Sequence, residues 1–211
     1  MWDGDDNSPG LLRLLMTDLP AGLVFWAVKT ATWPDFERLF SSRGAPHYCW
    51  CQVYRATAGT ARQADRTELK AAMCERIHQG MQVGVLAYAG GEPIGWCSIG
   101  PRSTFPRLRT ASVSGAAAPD DSSVWSLTCF FVPRRLRGRG LGSRLLQAAI
   151  DHARGQGAKA VEAYPVDADS PGYRFGGFRP MFRAAGFREL GRLGKRRYVA
   201  RLDLRVASTN P

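Results

Sequence analysis

Residues 124–153, VWSLTCFFVPRRLRGRGLGSRLLQAAIDHA, carry three local signals in a fixed order. Val124 to Val132 is an apolar, β-branched and aromatic run with hydroxyls at Ser126 and Thr128, which reads as a mostly buried strand. Arg134 to Gly142 is a short basic turn punctuated by glycine. From Leu141 onward Leu145, Leu146, Ala149, Ile150 and Ala153 recur at helical spacing, so one face is apolar while Arg144, Gln147 and Asp151 turn away from it. The order is strand, glycine-rich turn, helix.

A helix that opens directly after a strand presents unpaired main-chain N–H groups at the positive end of its dipole, and an anion can sit there. Gly138, Gly140 and Gly142 keep Cβ atoms out of the way of phosphate oxygens, and Arg137 and Arg139 add longer-range attraction. A capped turn with a solvated basic rim has the same composition, so the loop by itself leaves both readings open. A nucleoside triphosphatase loop, G-x-x-x-x-G-K followed by serine or threonine, is excluded because no lysine lies between Lys70 and Lys159. A dinucleotide fingerprint fits poorly, since Ser143 stands where the third glycine belongs.

What Arg137-Gly138-Arg139-Gly140-Leu141-Gly142 does match is a pattern of glutamine or arginine, two free positions, glycine, one free position, then glycine or alanine, behind a strand ending Phe131-Val132. On these residues the chain resembles the GNAT superfamily of acyl-CoA-dependent N-acetyltransferases, over about Val24 to Leu204. The resemblance implies an α/β (α+β) fold. Its central sheet is mixed and mostly antiparallel, of six to seven strands, with a parallel pair splayed at the centre and helices on both faces. It also implies acetyl-CoA or another acyl-CoA as co-substrate, no metal, and a primary amine of a small molecule as acceptor, attacked directly in a ternary complex.

By the same resemblance, main-chain groups of Phe130, Phe131 and Val132 pair with the pantetheine arm. Arg137, Gly138, Arg139, Gly140, Leu141, Gly142 and Ser143 surround the pyrophosphate. An ammonium group cannot attack a carbonyl, so a base is needed. Glu162 and Asp167 are the nearest carboxylates in sequence, and Tyr164, Ser126 and Thr128 are candidates to relay a proton or orient the acceptor. An outward-facing Glu162 would be a plain surface carboxylate. Trp50, Tyr54, Trp96, Ser126 and Thr128 are candidates for the acceptor pocket, with core packing as the competing reading of the aromatic stretch 47–54. One departure stands out: the family often places a tyrosine five residues before the phenylalanine of its closing G-F pair, and Phe182 occupies that position ahead of Gly186-Phe187. A phenyl ring cannot protonate a departing thiolate. A CoA-binding module without turnover is therefore one alternative; a donor carried on a carrier protein, which presents the same pantetheine arm, is another.

The chain has 211 residues, enough for one α/β domain, read as 21–206, with a partly disordered N-terminal extension (1–20) and a tail (207–211). Net charge is +11, carried mostly by arginine, and a polyanionic ligand near Arg134, Arg135, Arg137 and Arg139 accounts for part of it, so nucleic acid is not the expected partner. Five cysteines without paired C-x-x-C spacing indicate neither a disulfide framework nor a zinc site. The acidic start lacks a basic signal region, no apolar run is long enough to span a membrane, and a cytoplasmic monomer or homodimer is expected.

The remaining elements follow from punctuation and period. Leu23 to Val28 reads as a strand, and Thr32-Trp33-Pro34-Asp35 starts a helix with Thr32 as cap. Asp65 to Gln79 reads as a second helix. Val83–Tyr88 and Ile94–Ile99 form a hairpin across Gly90-Gly91. Arg102 to Ser123 shows no period; Arg102, Arg107 and Arg109 there are candidates to meet an acidic acceptor or the cofactor. Ala158–Tyr164 is a strand, Pro165–Gly177 a loop, Pro180–Ala185 a short helix, and Phe187–Leu193 with Arg197–Leu204 a closing hairpin around Gly194.

Overall fold

The buried strand expected in 124–132 is the axis of the sheet. The computed structural model describes residues 19–204 apart from 21, 58, 60–62 and 110–120. Seven strands are present: β1 (Val24–Ala27), β2 (Gly84–Ala89), β3 (Glu92–Pro101), β4 (Val124–Phe131), β5 (Ala160–Ala163), β6 (Arg188–Leu193) and β7 (Arg197–Asp203). They lie in the order β1-β2-β3-β4-β5-β7-β6. β4 and β5 run parallel, and the other neighbours are antiparallel. Among the described residues, the helices of six residues or more are α1 (Trp33–Ser41), α2 (Arg66–His78), α3 (Leu141–Gly155) and α4 (Arg179–Ala184).

Local chemistry explains most boundaries. The β2–β3 turn is two residues, Gly90 and Gly91, with φ of 56° and 79°; positive φ at both central positions is the hairpin turn whose twist suits antiparallel strands, and glycine adopts it without strain. Asp65 accepts from the N–H groups of Thr67 and Glu68, and Glu68 reaches back to the N–H of Asp65, a reciprocal cap that opens α2. Thr32 does not cap α1 with its side chain. Its hydroxyl accepts from the N–H of Lys29 and donates to the Lys29 carbonyl, closing the preceding turn instead.

The two faces of the sheet differ. Against one, α3 lays Leu141, Leu145, Ala149 and Ile150 over Ile99, Trp125, Leu127 and Val161. Against the other, α1 and α2 bring Phe36, Phe40, Met73 and Ile77 onto Leu86 and Trp96. The same face carries a polar layer of Ser98, Ser126, Thr128 and Glu162, all buried. The segment after β3 is not featureless: Arg102–Thr104 and Pro106–Arg109 are single helical turns that bury Arg102, Phe105 and Leu108. A four-residue turn is too short to show a period, which is why the sequence pattern is silent there. Residues 110–120, the tail, the Arg109 side chain and nearly all of the N-terminal extension lie outside the described residues.

Trp96 is the keystone of the second face, fully buried and edge-on to Phe36 with ring centroids 4.9 Å apart. Trp96→Ala is expected to lower the unfolding free energy by about 3–5 kcal/mol in a urea titration. A loss below about 1 kcal/mol would contradict this packing.

Candidate active site

The β4–β5 ladder is short. Pairing runs from Val124↔Ala160 to Leu127↔Ala163 and stops, while β4 continues through Phe131 paired only with β3. On the β5 side the chain turns off at Pro165, which has no N–H to give a ladder. Val166 then bridges to Phe178 and to Arg197. Glycine lets the next loop press in: a Cβ at Gly176 would lie 2.7 Å from the Tyr164 carbonyl, and one at Gly177 would lie 2.8 Å from the Phe182 ring. A wedge therefore opens beside residues 128–131.

The glycine turn sits at the mouth of that wedge. Gly138 and Gly140 have φ of 75° and 87°, and Gly140 is the N-cap of α3 without a capping side chain. Among the described residues, no acceptor takes the main-chain N–H of residues 138–143; the first bond of the helix is Arg144 N–H to the Gly140 carbonyl. Arg137 Nε donates to the Val132 carbonyl at 2.8 Å, tying the turn to the end of β4. One cleft of about 570 Å³ joins these parts. It runs from Gly138, Gly140, Leu141 and Gly142, along Thr128 to Val132, to Tyr48, Cys51, Val53 and Tyr54, with Arg174, Phe175 and Met181 opposite.

The residues singled out from the sequence fall into two groups. Tyr54, Thr128, Phe130, Phe131, Val132, Arg137, Gly138, Gly140, Leu141 and Gly142 line the cleft; the side chains of Arg139 and Ser143 do not, although both lie on the turn. Trp50 and Trp96 do not line it either. Trp50 stacks on Phe40 at 5.6 Å, and Trp96 donates its indole N–H to Cys51 Sγ at 3.3 Å inside the core. Their spacing put aromatic surface near the acceptor end, but the fold turns it into the packing behind the cleft wall.

Glu162, Tyr164 and Ser126 come together; none of them lines the cleft, but Tyr164 packs on Tyr54, which does, with ring centroids 6.3 Å apart. Register places Ser126 beside Glu162, on the sheet face opposite α3. Glu162, fully buried, accepts from Arg102 Nη1 at 2.6 Å and pairs with Arg201 at 3.4 Å. The same Arg102 nitrogen donates to the Tyr164 hydroxyl at 2.7 Å, and that hydroxyl meets Ser126 Oγ at 3.2 Å. Burial pushes the Tyr164 phenol up to about 12 against the pull of Arg102. Arg102 thus serves an internal carboxylate rather than an acceptor, a pairing that sixty residues of separation hide from sequence inspection. Asp167 also lies outside the cleft lining. Arg179 donates to it at 2.6 Å and the Tyr198 hydroxyl at 3.1 Å, and these bonds, Arg179 first, hold its carboxyl below the usual range.

Two further features were not legible in sequence. Cys51 and Cys129 line the cleft; the Cys51 thiol is drawn down chiefly by hydrogen bonding from Cys129, then by Trp96, while Cys129 is driven up by the same contact and by burial. Trp50 and Cys51 have φ of 43° and 59°, a left-handed conformation unusual for such side chains. Phe182 is buried against Phe187 and Phe130, with centroids at 5.2 and 6.2 Å, so the ring at the tyrosine position is core.

The fold is shared with solved structures of acetyltransferases. The structure aligns with an acetyltransferase from Thermus thermophilus (TM-score 0.52, 18% identity, 90% of this chain and 100% of the other). It aligns with the PaiA N-acetyltransferase from Thermoplasma acidophilum in complex with coenzyme A (TM-score 0.51, 13% identity, 86% and 99%). It also aligns with yncA from Salmonella typhimurium with acetyl-CoA (TM-score 0.50, 17% identity, 89% and 96%). At these identities the likeness speaks for the fold. No curated protein matches the chain. The model of the acetyltransferase (GNAT) family matches residues 29–175, well over half of the chain, and the protein belongs to that family.

Glu162→Gln leaves the buried Arg102 charge without its carboxylate and is expected to cost about 3–5 kcal/mol of stability. Chemical unfolding of the full chain checks this. A variant as stable as the parent would mean that the pair does not hold the end of β5.

Proposed function

We propose that the protein transfers an acetyl or other acyl group from acyl-CoA to a primary amine of a small molecule, by direct attack in a ternary complex. The observation that carries this reading is the continuity of the cleft: open main-chain donors at residues 138–143, an unpaired strand edge at 128–131 and an aromatic end wall at Tyr48 and Tyr54 form one passage. The residues fit the group. N–H groups of the glycine turn and the Arg137 side chain would hold a diphosphate, and the free edge near Phe130 to Val132 would pair with an amide-bearing arm. Acyl-CoA supplies the activated carbonyl.

The chain's own contribution is positional and electrostatic. Tyr54, Val53 and Phe175 shape the acceptor end and exclude water. Tyr54 is fixed by Arg197, whose Nη1 donates to its hydroxyl at 2.8 Å. Thr128 donates to Ser98 at 3.1 Å, which leaves its oxygen able to accept from an incoming amine. Glu162 and Tyr164 act as positioning residues next to the cleft wall, Tyr164 packing on Tyr54, and no carboxylate is among the described cleft-lining residues. The amine therefore enters neutral and gives up its proton through Thr128 and water. Five free thiols suit a reducing compartment, and we place the protein in the cytoplasm. No helix among the described residues is long and apolar enough to cross a membrane.

A second reading, a CoA-binding module without turnover, draws on one observation: the buried Phe182 offers no proton for a departing thiolate. A carrier-protein donor presents the same arm, and the exposed Arg134 and Arg135 at the rim would favour an acidic carrier.

Calorimetry with acetyl-CoA is expected to give saturable binding that Gly140→Val weakens by about tenfold or more, since a β-branched residue resists φ of 87° and misplaces the adjoining donors. No binding at millimolar acetyl-CoA would overturn the reading. Amine-dependent release of free CoA thiol separates turnover from binding alone.

A further inference from the structure

A second cavity, of about 910 Å³, opens between α2, the loop 52–57 and the turn at 103–106. It is walled off from the cleft by that loop, whose Val53 and Tyr54 line the cleft while Gln52 and Arg55 line the cavity. Five buried side-chain polar atoms among the described residues have no hydrogen-bond partner, and four of them belong to Gln52, Arg55 and Arg76 on this one cavity. Gln52 is 2% exposed, with neither its amide oxygen nor its nitrogen satisfied.

The charge here is also unbalanced. Arg55, 1% exposed, donates to the Val83 carbonyl at 2.9 Å, Thr104 Oγ1 at 3.2 Å and Ser98 Oγ at 3.4 Å, and its guanidinium lies 4.1 Å from the Phe105 ring centroid. Every one of these partners is neutral. Arg76 gives its Nη2 to the Arg55 carbonyl and its Nη1 to Met81 Sδ, again neutral groups. Glu68, the carboxylate among the lining residues, has one oxygen engaged in the cap of α2. Burial draws the Arg55 guanidinium down to about 10, Cys51 opposing this and Arg76 adding to it. Among the described residues no carboxylate pairs with this buried cation, which lies next to an unsatisfied amide, and that is costly unless something anionic joins it.

We propose that this cavity binds a small oxyanion, carboxylate or phosphate, with Arg55 and Arg76 meeting the charge and Gln52 contacting a hydroxyl or amine on the same molecule. Guanidinium Nε donors match either oxyanion, and a Gln amide needs one donor and one acceptor from its partner, which favours a hydroxy acid, an amino acid or a hydroxylated phosphate ester over a bare ion. The site is separate from the acyl-donor cleft, so the two ligands bind together.

Calorimetry on the full chain with lactate, citrate, glycerol phosphate and inorganic phosphate, each with and without CoA, tests this. Saturable binding of at least one probe is expected, and the carboxylate and phosphate arms show which oxyanion the site takes. Arg76→Gln and Gln52→Leu should each weaken it by about tenfold or more, and Arg76→Lys should retain most of it. Thermal unfolding of each variant verifies the fold; if one fails to fold, the other decides. The proposal is overturned if no probe binds at millimolar concentration, if a folded variant binds as tightly as the parent, or if CoA displaces the anion.

Discussion

The site depends on a ladder that ends early. β4 and β5 share four register pairs and then part, so main-chain groups of β4 face a cavity where a longer partner strand would have satisfied them. Several features hold the strands apart. Pro165 cannot continue the ladder, and Val166 is held by Phe178 and Arg197. Gly176 and Gly177 bring the following loop against the opening. On the sheet face opposite α3, the Arg102–Glu162 pair with Tyr164 and Ser126 pins the last paired residues of β5. An interior strand edge with open donors is stable only beside water or a ligand that pairs with it, and a flexible amide-bearing arm is such a ligand.

The glycine turn adds the complementary half. Left-handed φ at Gly138 and Gly140 directs the chain from β4 into α3 within a few residues, so the dipole end of a fifteen-residue helix faces the wedge. Arg137 stitches the turn to Val132, making strand end and helix start one unit. The apolar face of α3 then fixes that unit on the sheet through Leu141, Leu145 and Ile150.

The strand-turn-helix core and the Gly90-Gly91 hairpin were legible because each has a local signature, period or φ requirement, and the parallel pair came with the resemblance that the core carries. Facing was not. Alternation along β5 permitted Glu162 to point outward or inward, and only the arrival of Arg102, from a segment with no period, decided it. Trp50 and Trp96 looked like pocket walls because aromatic residues serve both surfaces and cores; their burial comes from Phe36 and Phe40 of α1, which the local pattern around either tryptophan does not show. The two arginines of the second cavity have no local signature either, since burial without a counter-ion is a property of the assembled loop and helix.

Hydrogen exchange of the main chain, read residue by residue with and without CoA, tests the central claim most directly. Slowed exchange confined to residues 138–143 and the 128–132 edge on adding CoA is the result this account requires. Unchanged exchange at both segments, or protection that appears elsewhere while both stay open, would contradict it.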